Sequence, residues 1–300
     1  MSPYKKLQKW KKTGDNKYMI IIGLLHTTIR GDEKLIIDAA RKRDVKINLI
    51  DVRTQILNRR TFRHDFDVAL ERCVSTVKGT HATRFFESID VTVINNSTVA
   101  AICEDKFITS IALQKANVLT PNFAMVFNAD QAIKAIEEMG GFPVVIKPPL
   151  GSWGRLLAKV NDVDALEAIL EHKDVLGSPH QKSFYIQQYI RKPGRDIRAF
   201  VIDGKTICAI YRDSPHWITN TARGGIATNC PVSKEISDIS KKASDAVGGG
   251  ILSMDIFETD DGLQINEINH TTEFKNSEKP TNISISGAIV DYCVKVAKNL

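Results

Sequence analysis

Three hundred residues exceed one average domain and fall short of three, so two or three compact lobes are expected. Apolar residues at 43% and charged residues at 25% suit a chain with a sizeable core, and no run reaches the roughly 18 apolar residues of a transmembrane helix. The net charge of +6 suits an anionic partner (nucleotide, acidic protein or nucleic acid), but solvated surface accounts for such a surplus equally well.

Residues 1–18, MSPYKKLQKWKKTGDNKY, are basic and lack the apolar stretch of a secretory signal. They read as an extension, with Met19 as an alternative start; the other reading is a basic anchor for an acidic partner. Met19–Leu25 is a continuous apolar run, the pattern of a strand buried on both faces. Glu33–Arg43 has helical spacing, and Ile47–Asp51 and Val91–Asn95 read as further strands. Strand–helix–strand alternation implies a parallel sheet, so 19–100 is expected to be an open α/β lobe.

A second lobe, 101–190, follows. Helices are expected over Asp105–Asn117, Asp130–Met139 and Asp162–His172, with strands at Phe123–Val126, Phe142–Lys147, Leu156–Val160 and Phe184–Ile190. The third lobe, 191–300, opens with strands Ile197–Ile202 and Thr206–Tyr211 joined by Asp203-Gly204, a strong hairpin signal. A helix over Lys234–Val247 ends at three glycines. A second hairpin, Ser253–Glu258 with Leu263–Asn269, and a closing helix over Ser284–Asn299 complete it. The cysteines Cys73, Cys103, Cys208, Cys230 and Cys293 are odd in number and form no CxxC, which argues for a reducing cytosol and against a disulfide framework or a zinc site.

The second hairpin carries the sharpest chemical signal. A three-residue loop of Asp260, Asp261 and Gly262 would pair Asp255 with Glu267, and strand alternation puts Asn269 on the same face as Glu267. Three oxygen donors at one spot suit magnesium shared with substrate phosphates; a solvated acidic face is the alternative. Just past Lys147, the loop Pro148–Arg155 offers glycines that let backbone N–H groups approach phosphate, beside a lysine point charge. No GK[ST] follows, and no GxGxxG turn enters a helix, so neither the P-loop nor the dinucleotide fingerprint applies. A plain turn is the other reading of that loop. Lys106, at a helix start where the dipole disfavours it, is by itself a surface lysine.

Together, Asp105-Lys106, VVIKPPLGSWGR, YIQQYIRKPGRDIRAFVIDGK, YRDSPHWITNTARGG and DIFETDDGLQINEIN resemble the ATP-grasp superfamily. Within it they resemble the branch of ribosomal-protein-S6 glutamate ligases and amino-group-carrier ligases. The resemblance spans the chain from Met19 and implies an α/β fold with an N-terminal Rossmann-like pre-ATP-grasp domain. It implies that Lys106 and Lys147 hold ATP phosphates under a flap of Gly151, Ser152, Trp153, Gly154, Arg155, Leu156 and Leu157. Gln187, Gln188, Tyr189, Ile190, Arg195, Asp196 and Arg198 would meet adenine and ribose, and Arg212 and Asn220 the phosphates. Asp255, Glu267 and Asn269 would bind magnesium, two ions in all, with Arg212 and Asn269 catalytic.

Asn269-His-Thr-Thr-Glu-Phe-Lys-Asn276 is similar to the signature of the α-aminoadipate–LysW ligases of lysine biosynthesis. These join the C-terminal glutamate of a small acidic carrier protein to an amino acid. The glutamate-using branch, in arginine biosynthesis, carries Gly-Phe where this chain has Glu273-Phe274, which favours α-aminoadipate; dual use and glutamate alone are the alternatives, and a ribosomal-protein-S6-type glutamate ligase is a further one that the 269–276 segment argues against. Thr221, Ala222, Arg223, His270, Thr271, Thr272, Glu273 and Phe274 would flank the amino acid. His270 reads as a general base or as a structural or substrate-contacting histidine. Relatives of this kind commonly form dimers or tetramers. No membrane is implied. A nucleic-acid-binding protein is disfavoured, because beyond residue 18 the basic groups are dispersed among acids.

Overall fold

The structure is a computed structural model that describes residues 19–151, 156–177, 182–219 and 224–300. The first sheet is parallel, in the order β2-β1-β3-β4, from β1 (Ile21–His26), β2 (Lys46–Asp51), β3 (Val68–Glu71) and β4 (Val93–Ile94). Helices α1 (Gly31–Arg41) and α2 (Thr76–Ser88) flank it. Neither β3 nor α2 is expected from sequence, because β3 ends on the charged pair Glu71-Arg72, which masks a strand whose four residues are all buried. The connection from β2 to β3 contains no helix. Phe62 and Phe66 cover the sheet instead, Phe62 meeting Phe85 and Phe86 edge-on at 5.3 Å. Gly23 makes room for this, since a Cβ there would lie 2.7 Å from the Phe66 ring.

The helix expected over 105–117 is α4 (Lys106–Lys115), and a further helix, α3 (Ser97–Glu104), precedes it unannounced. Asp105 ends the first and caps the second, its carboxylate accepting from the N–H groups of Phe107 and Ile108. An antiparallel sheet of order β5-β8-β6-β7 follows, from β5 (Phe123–Val126), β6 (Val144–Lys147), β7 (Ala158–Val160) and β8 (Phe184–Gln188). Helices α5 (Ala129–Glu138) and α6 (Val163–Leu176) belong to it, N-capped by Asn128 and Asp162. The last sheet, β11-β10-β9-β12-β13, is antiparallel. Its strands are β9 (Arg195–Ile202), β10 (Lys205–Asp213), β11 (Ile226–Cys230), β12 (Ile251–Thr259) and β13 (Gly262–Asn269). With them run α7 (Lys234–Val247), α8 (Glu278–Thr281) and α9 (Ile285–Lys298).

The cores do not follow the sheets one to one. Ile22, Leu24, Val68 and Leu70 of the first sheet share an interior with Phe200 and Ile210 of the last. A second core joins Leu113 of α4 to the opposite face of β9 through Ile197 and Val201. The middle sheet keeps a core of its own, running from Val126 to Ile186. No helix among the described residues is long and apolar enough to cross a membrane.

The β12–β13 hairpin pairs Asp255 with Glu267, as its register predicts, by another route. Thr259 pairs with Gly262, so the loop is the two residues Asp260-Asp261, and a bulge between Asp255 and Ile256 restores the register. Asn266 is the extra residue of that bulge.

Candidate active site

Four strands of the last sheet place charged side chains in adjoining register positions. Arg212 on β10 lies opposite Asp196 on β9; Arg198 on β9 lies opposite Asp255 on β12, which lies opposite Glu267 on β13. Strand alternation keeps these groups on one face. Arg212 donates to Asp196 at 2.7 and 2.8 Å, and Arg198 to Asp255 at 2.8 and 2.9 Å. Arg212 also reaches Asp255 at 3.0 Å. Burial would raise the Asp255 carboxyl, but the Arg198 and Arg212 guanidiniums outweigh it and hold the group well below the usual carboxylate range. Thr219 donates its hydroxyl to Asp196, and Lys192 donates to Thr219 at 3.1 Å.

Facing this row is Lys147, at the end of β6 and 6% exposed. Its ammonium donates to Gln187 at 2.5 Å and to Asn266 at 2.9 Å. The bulge therefore brings Asn266 to the same cavity as Glu267. Burial, the largest influence, pushes the Lys147 ammonium down to about 8. Lys106 donates to the Gly151 carbonyl at 2.6 Å and lies 3.8 Å from Glu267. A cavity of about 60 Å³ lies among these groups, and Tyr189, Ile190, Trp217 and Phe257 give it an apolar wall.

A second cavity, about 560 Å³, shares Gly151, Asp255 and Glu267 with the first. It runs between α2 and the segment that follows β13, with Arg30, Arg84, Arg198 and Arg212 in its wall. His270, Thr271 and Glu273 face it. Arg30 donates to Glu273 at 2.6 Å, and Thr271 donates to Glu71 at 2.8 Å. His270 approaches Glu104 at 3.6 Å. This is not an ion pair at neutral pH: burial first and Arg72 second push the imidazole down to about 4, while burial raises the Glu104 carboxyl.

Magnesium takes oxygen ligands and shares them with phosphate. Among the described residues no cluster of three His, Cys, Asp or Glu side chains could hold a metal ion. The predicted set, two carboxylates and the Asn269 amide, thus needs phosphate oxygens to complete a shell. It fits that chemistry: Asp255 and Glu267 are register partners, all three residues line the larger cavity, and the buried Asn269 amide nitrogen, which has no hydrogen-bond partner, is free to donate to a phosphate oxygen, which leaves the amide oxygen for the metal.

Lys106, Lys147, Gly151, Leu157, Gln187, Gln188, Tyr189, Ile190, Asp196, Asp255 and Glu267 line the smaller cavity, and Arg198, Arg212 and Asn269 the larger. Four predicted residues line neither cavity. Arg195 faces away, donating to Glu258 at 2.8 and 3.0 Å with its guanidinium 3.9 Å over the Tyr211 ring, because strand alternation opposes it to Asp196. Thr272 and Phe274 are each 1% exposed; Phe274 packs in the core and neither lines the cavity. Leu156 is exposed and lines neither cavity. Ser152, Trp153, Gly154, Arg155, Asn220, Thr221, Ala222, Arg223 and the extension 1–18 lie outside the described residues. Lys192 falls inside the stretch 187–198 that the resemblance assigns to adenine and ribose, whereas Trp217, Thr219 and Asn266 are missed. Trp217 and Thr219 lie within a segment whose resemblance is quoted above, so their position is the available signal; Asn266 depends on a bulge that hairpin patterning does not reveal.

A charged row on an antiparallel sheet thus faces a buried lysine across a cleft between two lobes. Residues 103–293 match the RimK-like ATP-grasp domain, and residues 22–102 the LysX preATP-grasp domain. The chain belongs to the RimK-like ATP-grasp family and is an ATP-grasp ligase. It is 33% identical over 273 residues to the alpha-aminoadipate–LysW ligase LysX of Saccharolobus solfataricus, covering 90% of this chain and 99% of that one. It is 34% identical over 272 residues to the glutamate–LysW ligase ArgX of Sulfurisphaera tokodaii, covering 90% and 96%. A RimK domain ATP-grasp protein from Sphaerobacter thermophilus superposes with a TM-score of 0.74 at 22% identity, covering 91% of this chain and 99% of that one.

Proposed function

We propose that this ligase uses ATP to activate the γ-carboxyl of the C-terminal glutamate of a small acidic LysW-type carrier and joins it to the amino group of α-aminoadipate, releasing ADP and phosphate. The observation that carries this reading is the continuity of the two cavities through Gly151, Asp255 and Glu267. Phosphates held near Lys106 and Lys147 would then lie next to the chamber into which His270, Thr271 and Glu273 project.

The carrier carboxylate attacks the γ-phosphate, and the amine attacks the resulting acyl phosphate. Lys147 and Lys106 hold the phosphates as fixed positive charges, and Arg212, locked by two carboxylates, presents a charge that needs no reorganisation as the reaction proceeds. Asp255, Glu267 and Asn269 would hold magnesium, two ions by the family resemblance, and the metal would spread the charge that develops on the transferred phosphoryl group. Asp255 would exchange part of its arginine contacts for that ligand. A neutral His270 suits contact with substrate or support of the wall better than proton abstraction at pH 7. No cysteine is required, and all five are buried and unpaired, in keeping with a cytoplasmic setting.

Glu273 favours α-aminoadipate. Similarity to the glutamate–LysW ligase at nearly the same identity supports a second reading, glutamate alone or both amino acids. Incubating the protein with ATP, magnesium, a LysW-type carrier and either amino acid, then weighing the carrier, separates them. A mass gain with α-aminoadipate and none with glutamate is expected, and a gain with glutamate alone overturns the assignment.

A further inference from the structure

Six consecutive residues, His270 to Lys275, leave β13 without a strand partner, and every one of them is bonded to the N-terminal lobe. Asn95 donates to the His270 carbonyl at 2.7 Å, and Arg72 to the Thr272 carbonyl at 2.8 Å. The Phe274 and Lys275 N–H groups donate to a single Asp32 oxygen at 2.6 and 2.8 Å. The side chains of Thr271 and Glu273 meet Glu71 and Arg30. Thr272 and Phe274 are thereby sunk, and Thr271 and Glu273 are turned into the large cavity.

One connection closes on itself. Arg72, 2% exposed, donates through Nε to Glu33 Oε1 at 3.1 Å while its Nη1 holds Thr272. Glu33, fully buried, accepts from the Arg30 backbone and guanidinium at 2.9 to 3.1 Å, and Arg30 holds Glu273. The relay Arg72–Glu33–Arg30 thus grips two adjacent residues, one by its backbone and one by its side chain. Charge-assisted bonds in a dry interior fix such geometry tightly, and Arg72 itself lines neither cavity.

We propose that the N-terminal lobe sets amino-acid selectivity through this ring, with Arg72 as a positioning residue that never touches substrate. This rests on the reading that Thr271 and Glu273 meet the amino acid. Lysine at position 72 keeps the charge but cannot bridge Glu33 and Thr272 in the same fork geometry.

Three measurements on R72K test it. The kcat/KM for the amino acid falls about ten- to a hundred-fold, with KM for ATP within about two-fold of wild type. The preference between α-aminoadipate and glutamate shrinks. Hydrogen exchange rises in the peptide containing 270–275 but not in β12. D32N, which loosens the other end of the segment, moves all three readouts the same way and carries the test if R72K does not fold. Unchanged amino-acid kcat/KM and preference, or equal losses toward ATP and amino acid, overturn the proposal. If the wild-type protein couples neither amino acid, the substrate assignment falls alone. The ring is then judged by exchange, and unchanged protection of 270–275 in both variants sinks it.

Discussion

On the wall that faces Lys147, each charged side chain sits on a strand whose neighbour in the same sheet fixes it: Arg198 opposite Asp255, Asp255 opposite Glu267. On the other wall, residues 270–275 have no strand partner, and their anchors lie 175 to 243 positions away in the chain. The first wall is a product of β register and survives wherever that sheet forms. The second exists only when the N-terminal lobe is docked. The wall proposed to meet phosphate is thus built on sheet register, and the wall proposed to choose the substrate on contacts between lobes.

The largest effect expected is on stability within the first wall. Asp255→Ala takes a carboxylate from the half-buried Arg198 and from the buried Arg212, and we expect a loss of about 3–5 kcal/mol, read from the denaturant midpoint. A midpoint within error of wild type would show that the row is not held by charge. Glu267→Gln tests the same wall without that cost, because Glu267 is partly exposed. ADP release is expected to fall about 10²–10³-fold with the melting temperature kept, and full turnover would remove Glu267 from the phosphate site. Gly250→Ala strikes the docking that supports the second wall. Its Cβ would lie 2.1 Å from Asn95 Oδ1 at a φ of +98°, and about 2–4 kcal/mol of destabilisation is expected. Intact stability there would mean that the Asn95 contact gives way freely.

Smaller effects separate the two walls by pH and by hydrogen bonding. Burial lowers Lys147 to about 8. Bound phosphate charge would raise it again, so ATP binding takes up protons near and above that pH, and ATP affinity declines as pH rises through it. Calorimetry in two buffers of different ionisation enthalpy reads the uptake, and the same heat in both would rule it out. Tyr185→Phe removes the hydroxyl that meets Ser110 at 2.8 Å and Gln187 at 3.2 Å. A stability loss of about 1 kcal/mol is expected, with a modest rise in KM for ATP, and no change in either would mean that Gln187 holds Lys147 unaided.

The same division decides what could be read from sequence. Asp255, Glu267 and Lys147 were visible because a hairpin and a strand-end loop are local patterns. The bulge at Asn266 was not, since two-residue and three-residue loops present the same alternation until the turn pairing is known. Resemblance groups Arg195 with Asp196, although alternation sends them to opposite faces. Asp32, Glu33 and Arg72 give no signal at all: Asp32 and Arg72 hold residues 242 and 200 positions away, Glu33 matters only as the link between Arg72 and Arg30, and Arg72 helps to hide β3 itself.

The way the apolar interior is divided has a mechanical consequence. The sheet from β5 to β8 carries its own core from Val126 to Ile186, so displacing it leaves that core whole, at the cost of the contacts of Phe123 with Phe107 and of Tyr185 with Ser110 on α4. Moving the first sheet would pull Leu24 and Val68 from the interior they share with Phe200 and Ile210, at about 25 cal/mol for each Å² uncovered. The division of the interior therefore resists displacement of the first sheet more than displacement of the middle one.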